Sequence, residues 1–236
     1  MSEAIDIFER MFEYGGMSPA STAVAPREES ARETVRELQE RIRRMQATKL
    51  DTRAIPTHAA LSGLLPGGAL KQGASYSVEG SLTLLMALLA GPSAAGSWCG
   101  VVGVPEFGIE AAANFGIDLE RVAFVPHPGE HLLTVAAALA DVLSVVVIRP
   151  TKRVGDGTAA RLAARLRQRG STLIVLGGWP QSEAALSLSE NRWSGVGNGH
   201  GYLAARQVTV TAMTRAGSRR RRLWLPDAEQ QFRVAG

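Results

Sequence analysis

With 236 residues, 45% of them hydrophobic and 20% charged, the chain is long enough for one substantial domain with a real core, and its ordinary globular composition excludes a largely disordered polypeptide. Its longest apolar runs, "SLTLLMALLAGPSAAG" and "LLTVAAALADVLSVVVI", are broken before the roughly 20 residues of a membrane helix, and the N-terminus mixes acids into its apolar residues without a basic leader; no membrane span or secretory signal is expected, and the cytoplasm is the expected location. The single Cys99 excludes an internal disulfide and a cysteine zinc site, and the net charge of +4 is unevenly spread, with seven arginines and no acid from Asn191 to Pro226.

Along the chain, residues 1–27 read as a flexible segment with a short amphipathic motif, Ile5, Phe8, Met11 and Phe12 standing at helical spacing before the linker "MSPASTAVAPREE". Residues 28–50 read as a helix whose Val35, Leu38, Ile42 and Met45 recur at alternating spacings of three and four. Such a narrow stripe either caps the main domain or docks on a partner. Residues 51–236 form the core domain. Here "ASYSV", "WCGVVGV", "RVAFV", "LSVVVI" and "TLIVLGG" read as strands, alternating with the helical stretches "SLTLLMALLAG", "GIEAAANFG", "EHLLTVAAALAD" and "GTAARLAARLRQRG". Near-continuous apolar strands are buried on both faces, so the class is α/β, a mainly parallel sheet flanked by helices. "PQSEAALSLSENRWSGVGNGHG" reads as a long Gly/Ser-rich loop, and Gln207 to Leu225, with a turn at Ala216-Gly217-Ser218, as a C-terminal antiparallel hairpin extending one sheet edge.

Open parallel sheets bind ligands beyond the C-terminal ends of their strands. After the first strand, Glu79-Gly80-Ser81-Leu82-Thr83 has the glycine and helix start of a phosphate site, but no lysine or arginine lies between Lys71 and Arg121. A working phosphate loop needs a longer glycine turn, a lysine at the outer phosphates and a hydroxyl on magnesium. The fourth strand ends in Arg149 where a magnesium-binding acid would stand, and Glu106, the single acid placed where a water-activating carboxylate would be, reads either in that role or as a surface or capping residue. No catalytic residue, metal site or cofactor is expected. The arginine-rich hairpin, Arg206, Arg215, Arg219, Arg220, Arg221 and Arg222, reads either as a solvated surface or as a contact for DNA or an acidic partner; on a strand the four consecutive arginines point alternately to two faces.

The order of these features resembles a RecA-type core. "LQERIRRMQ" followed by "IPTHAALSGLLPGGALKQGASYSVEG" is similar to that family's N-terminal helix and entry into the first core strand, "FGIDLERVAFVPHP" and "LSVVVIRP" resemble its third strand and Walker B strand, and the terminal hairpin matches too. The run "LAGPSAAGSWCGVVGVPEFG" is similar to the ImuA-type accessory proteins of actinobacterial mutasomes. That resemblance implies a scaffold for translesion synthesis in the DNA damage response, with an ImuB-type, Y-family-like adaptor and an error-prone C-family polymerase as partners, and leaves self-association and direct DNA contact open. It also implies where the departures fall: the loop lysine is missing, Arg149 replaces the Walker B acid, Gly177-Gly178 replace the sensing glutamine, and Glu106 alone stands where the catalytic glutamate would be. A SulA-type division inhibitor and a residual ATP- or DNA-binding RecA relative are the alternatives.

Overall fold

Short runs of Val, Ile and Leu become strands when both of their faces can be covered, and the helices between them supply the cover. The computed structural model describes residues 54–197 and 200–235. The chain divides into Met1–Lys49 and Leu50–Gly236; the described residues belong to the second unit. The 1–27 segment and most of the 28–50 helix, with Val35, Leu38, Ile42 and Met45, fall in the first, and all of both lie outside the described residues.

A small antiparallel pair, β1 (Ala54–Ile55) with β2 (Leu70–Lys71), brackets the short helix α1 (Ala59–Ser62). The expected alternation follows: β3 (Ser75–Val78), α2 (Leu82–Ala94), β4 (Cys99–Val102), α3 (Ile109–Asn114), β5 (Val122–Val125), α4 (Leu132–Ala140), β6 (Val145–Ile148), α5 (Asp156–Arg169) and β7 (Thr172–Leu176). The last part of the chain is β8 (Ala184–Gly197), β9 (His200–Thr214), β10 (Gly217–Trp224) and β11 (Arg233–Val234). All strands from β3 onward join one sheet in the order β11-β10-β9-β8-β3-β7-β6-β4-β5. The pairs from β8 through β3, β7, β6 and β4 to β5 are parallel, and those from β8 to β11 antiparallel.

The long loop expected after Gly178 is corrected: most of it is the strand β8. Its Ser and Gly content obscured an alternation in which Ala184 and Leu186 are buried in the core, and its partners on both sides, β3 and β9, lie far from it or after it in sequence. The expected hairpin is present, and it extends the sheet through β8.

Alternate residues of the parallel strands serve two separate cores. Cys99, Val101, Val145, Val147 and Ile174 pack toward α2, while Val102, Val146, Ile148, Leu173 and Val175 pack with residues of α4 and α5. Helix α2 has little amphipathicity because Leu84 through Ala90 are all buried; a helix apolar on all sides belongs inside a core. Helix α5 is the opposite case, with Ala159, Leu162 and Leu166 on one buried face, and it stops at Gly170, whose φ of 72° suits the left-handed cap. Cys99 is buried, and burial pushes its thiol up to about 12, as befits a small core hydrophobe.

Candidate functional site

The strand ends where an open parallel sheet binds ligands carry backbone hydrogen bonds, a helix cap and an ion pair of the chain's own. Between β3 and α2 there are three residues. The Glu79 N–H donates to Leu186 O at 2.9 Å and so continues the sheet. Gly80 takes a φ of 58°, which glycine adopts freely. Ser81 is the helix N-cap, its hydroxyl accepting the Leu84 N–H at 3.2 Å. Capping of this kind satisfies one of the first-turn donors that a phosphate would otherwise engage. Leu82 and Thr83 are half-buried in the first turn.

Two strands away, Arg149 follows β6 and Glu106 sits in the loop after β4, and β4 and β6 are direct neighbours. The Arg149 guanidinium is ion-paired with the Glu106 carboxylate, both side chains about two-fifths exposed. The structure thus brings together Arg149 and Glu106, the cation and the acid that the sequence placed at two different strand ends. The sequence offered each separately; nothing in their spacing announced the pair. Gly177, after β7, donates its N–H to Val78 O at 2.8 Å and presents no side chain at that strand end. Among the described residues no group of three or more His, Cys, Asp or Glu is placed to hold a metal ion, and no helix is long and apolar enough to cross a membrane.

The arginine-rich stretch does not form one patch. Register pairs Arg219 with Ala212 and Arg221 with Val210, on the core side, and pairs Arg220 with Thr211 and Arg222 with Thr209, on the outer side. Arg219 Nη1 donates to Leu65 O at 2.9 Å, and the Arg221 guanidinium lies against Gly63, filling the space a side chain there would need. Arg220 Nη2 is 3.7 Å from Glu190 Oε1. Arg206 donates to Asn191 Oδ1 and lies over the Trp193 ring at 5.4 Å; its partial burial lowers its pKa. Arg215 sits at the β9–β10 turn and lines a polar groove of about 290 Å³ with Lys71, Arg167 and Glu183.

Glu190 is the functional candidate that sequence reasoning missed. It occupies a bulge between Ser189 and Arg192, with a φ of 54°, a left-handed conformation that costs a non-glycine residue about 1 kcal/mol or more. Its Oε2 accepts the Thr209 hydroxyl at 2.6 Å. That hydrogen bond, followed by the charges of Arg220, Arg222 and Arg192, holds its carboxyl below the usual range. The available signal was the single acid at the entrance to an otherwise acid-free, arginine-rich alternation.

A protein family described as the MT3502 N-terminal domain matches residues 63–181, half of the chain. A curated relative from Mycobacterium tuberculosis (strain ATCC 25618 / H37Rv), described as "Uncharacterized protein Rv3395c", is 38% identical over 118 residues; the match takes in 49% of this chain and 58% of the relative's length. Among solved structures the chain is similar to the KaiC-like protein PH0186 from Pyrococcus horikoshii OT3, at 14% identity over 77% of this chain and 100% of that one, with a TM-score of 0.48. It is also similar to the flagellar accessory protein FlaH from Methanocaldococcus jannaschii, at 11% identity over 72% and 92% of the two chains, TM-score 0.48. The strand order itself, with parallel strands continued by an antiparallel C-terminal set, is the expected α/β class with a mainly parallel sheet and a C-terminal antiparallel hairpin.

Proposed function

This chain belongs to the MT3502 N-terminal domain family, and from that premise we propose that it is a non-catalytic, RecA-like accessory protein of a cytoplasmic translesion DNA synthesis assembly in the DNA damage response, binding an ImuB-type, Y-family-like adaptor and, through it, an error-prone C-family polymerase. The observation that carries the non-catalytic part is the Arg149–Glu106 ion pair. A nucleotide-hydrolysing site of this fold needs a cation at the outer phosphates and acids for magnesium and water. Here the cation stands on the metal's side and neutralises the one acid, while Ser81 caps the helix from a turn too short to wrap a phosphate. A fold freed of that chemistry keeps its surfaces, and binding partners is what they can do. The particular assembly is supported by the resemblance carried by "LAGPSAAGSWCGVVGVPEFG".

Two measurements test this. Affinity capture of the tagged full chain from cells after DNA damage is expected to recover the adaptor; recovery of the division-ring GTPase in its place would support a SulA-type inhibitor. Calorimetry with ATP and magnesium is expected to show no saturable heat. Measurable binding that disappears in Glu106→Ala would overturn the non-catalytic reading.

A further inference from the structure

The outer face of the β8–β10 ribbon carries charge that the strand-end site does not use. Directly paired residues of antiparallel strands project to one side, so the rows Ser189–Thr209–Arg222 and Arg192–Gln207–Trp224 share a face with Arg220. Set into this face is the Glu190 carboxylate, accepting the Thr209 hydroxyl at 2.6 Å with the Arg220 guanidinium 3.7 Å away. Its backbone is held in a left-handed conformation to reach there. The arginines and the hydroxyl therefore already receive a carboxylate, supplied by the chain itself. Arg220 and Glu190 side chains remain 59% and 54% exposed, so the arrangement is open to an outside competitor.

We propose that this face is a docking surface for an acidic peptide segment of a partner protein, whose carboxylates bind Arg192, Arg220 and Arg222, with Glu190 filling one of those positions while the face is empty. The proposal rests on the accessory reading above and deepens it by giving the partner's segment a chemistry. Charge favours a peptide over nucleic acid. Neutralising a run of phosphates takes many cations, yet the ribbon's other arginines are drawn elsewhere: Arg219 and Arg221 to the core side, Arg206 to Asn191 and Trp193, and Arg215 to the groove beside Lys71. What is left is three guanidinium groups against one carboxylate, a match for a few acidic side chains. Arg220 and Arg222 stand two residues apart on one strand, about 7 Å, the spacing of alternate side chains in an extended peptide. The planar guanidinium fork suits carboxylates in particular.

The test uses the full chain and a fluorescein-labelled decapeptide alternating Glu and Ala, followed by fluorescence anisotropy at rising salt. Saturable binding that weakens with salt is expected. Arg220→Ala with Arg222→Ala should weaken it at least tenfold, while Arg219→Ala with Arg221→Ala, which keeps the net charge equal to that of the first pair, should stay within twofold of the wild type. Glu190→Gln should tighten binding several-fold by removing the internal competitor. Equal losses in the two double variants, weaker binding by Glu190→Gln, or no saturable binding would each overturn the proposal. An unlabelled ten-nucleotide thymidine oligomer that displaces the peptide at lower concentration than unlabelled peptide would overturn it in favour of nucleic acid. Adaptor capture repeated with the Arg220→Ala, Arg222→Ala variant separates the two readings: undiminished capture overturns this surface and leaves the accessory reading standing, whereas failure of the wild type to capture the adaptor overturns the accessory reading itself.

Discussion

The parallel and antiparallel halves of one sheet handle their faces in different ways. Between β3 and β5 helices cover both sides; Val145, Val146, Val147 and Ile148 are all fully buried, with alternate residues entering opposite cores. Between β8 and β10 Val208, Val210, Ala212 and Leu223 enter the core from one face, while Thr211, Arg220 and Arg222 lie on the other. The first half spends its side chains on packing and has few left for chemistry. The second has a face that carries exposed arginines outside the core, and these side chains are available to recognise something.

The sharpest way to break this contrast is to place the same charge in both halves. Val147→Asp should abolish the folded state, seen as loss of near-ultraviolet dichroism, because an unpaired carboxylate in a sheet buried on both faces costs several kcal/mol. Thr211→Asp, on the outer face and paired across from Arg220, should stay within about 0.5 kcal/mol of the parent in urea unfolding. Equal damage from both would show that the outer face is packed after all. Next in size, Leu88→Ala, a fully buried position of helix α2, should lower stability by about 2–5 kcal/mol, the usual range for a large aliphatic side chain lost from a core.

A third measurement concerns how the helices on the α4–α5 face are tied together. Asp141, just after α4, accepts Arg165 Nε at 2.8 Å and Arg169 Nε at 3.2 Å. The Arg165 hydrogen bond first, then the charges of Arg165 and Arg169, hold its carboxyl down to about 2. A carboxyl depressed in the folded state stabilises it above the unfolded value near 4 and ceases to do so as pH falls through about 2. The urea midpoint of the wild type should therefore drop across that window more steeply than that of Asp141→Asn. The smallest effect is expected at the strand ends. Arg149→Met removes a half-exposed ion pair and should cost no more than about 1 kcal/mol; a loss of several would mean that the pair is a structural necessity.

Much of the parallel half was legible before the structure. "LSVVVI" and "TLIVLGG" are too apolar for any place but a doubly covered strand, and Ala159, Leu162 and Leu166 announce the buried face of α5. The antiparallel half was legible in part. β9 and β10 show their alternation, but in β8 the alternation of Ala184, Leu186 and Leu188 with small polar residues was hidden by Ser and Gly, which favour turns when neighbours are unknown. At the candidate site the missing lysine and the misplaced Arg149 could be read from residue types alone. Their consequence could not: that Glu106 is held by Arg149 depends on β4 lying beside β6, and a strand order that departs from chain order is invisible to local pattern.

The amino-acid sequence by itself determined the class of the fold, the run of parallel strands and helices, and the residue types at the strand ends, with no lysine or arginine between Lys71 and Arg121 and Arg149 after the fourth strand, because each is written in residue type and short-range spacing. Only the tertiary structure decided which charges meet. It turned Arg219 and Arg221 to the core side and left Arg220 and Arg222 outside, and it swung Glu190 over Thr209 through a left-handed bulge. The physical reason is that electrostatic and hydrogen-bonding partners are chosen over a few ångströms of space, whereas the sequence orders residues only along the chain.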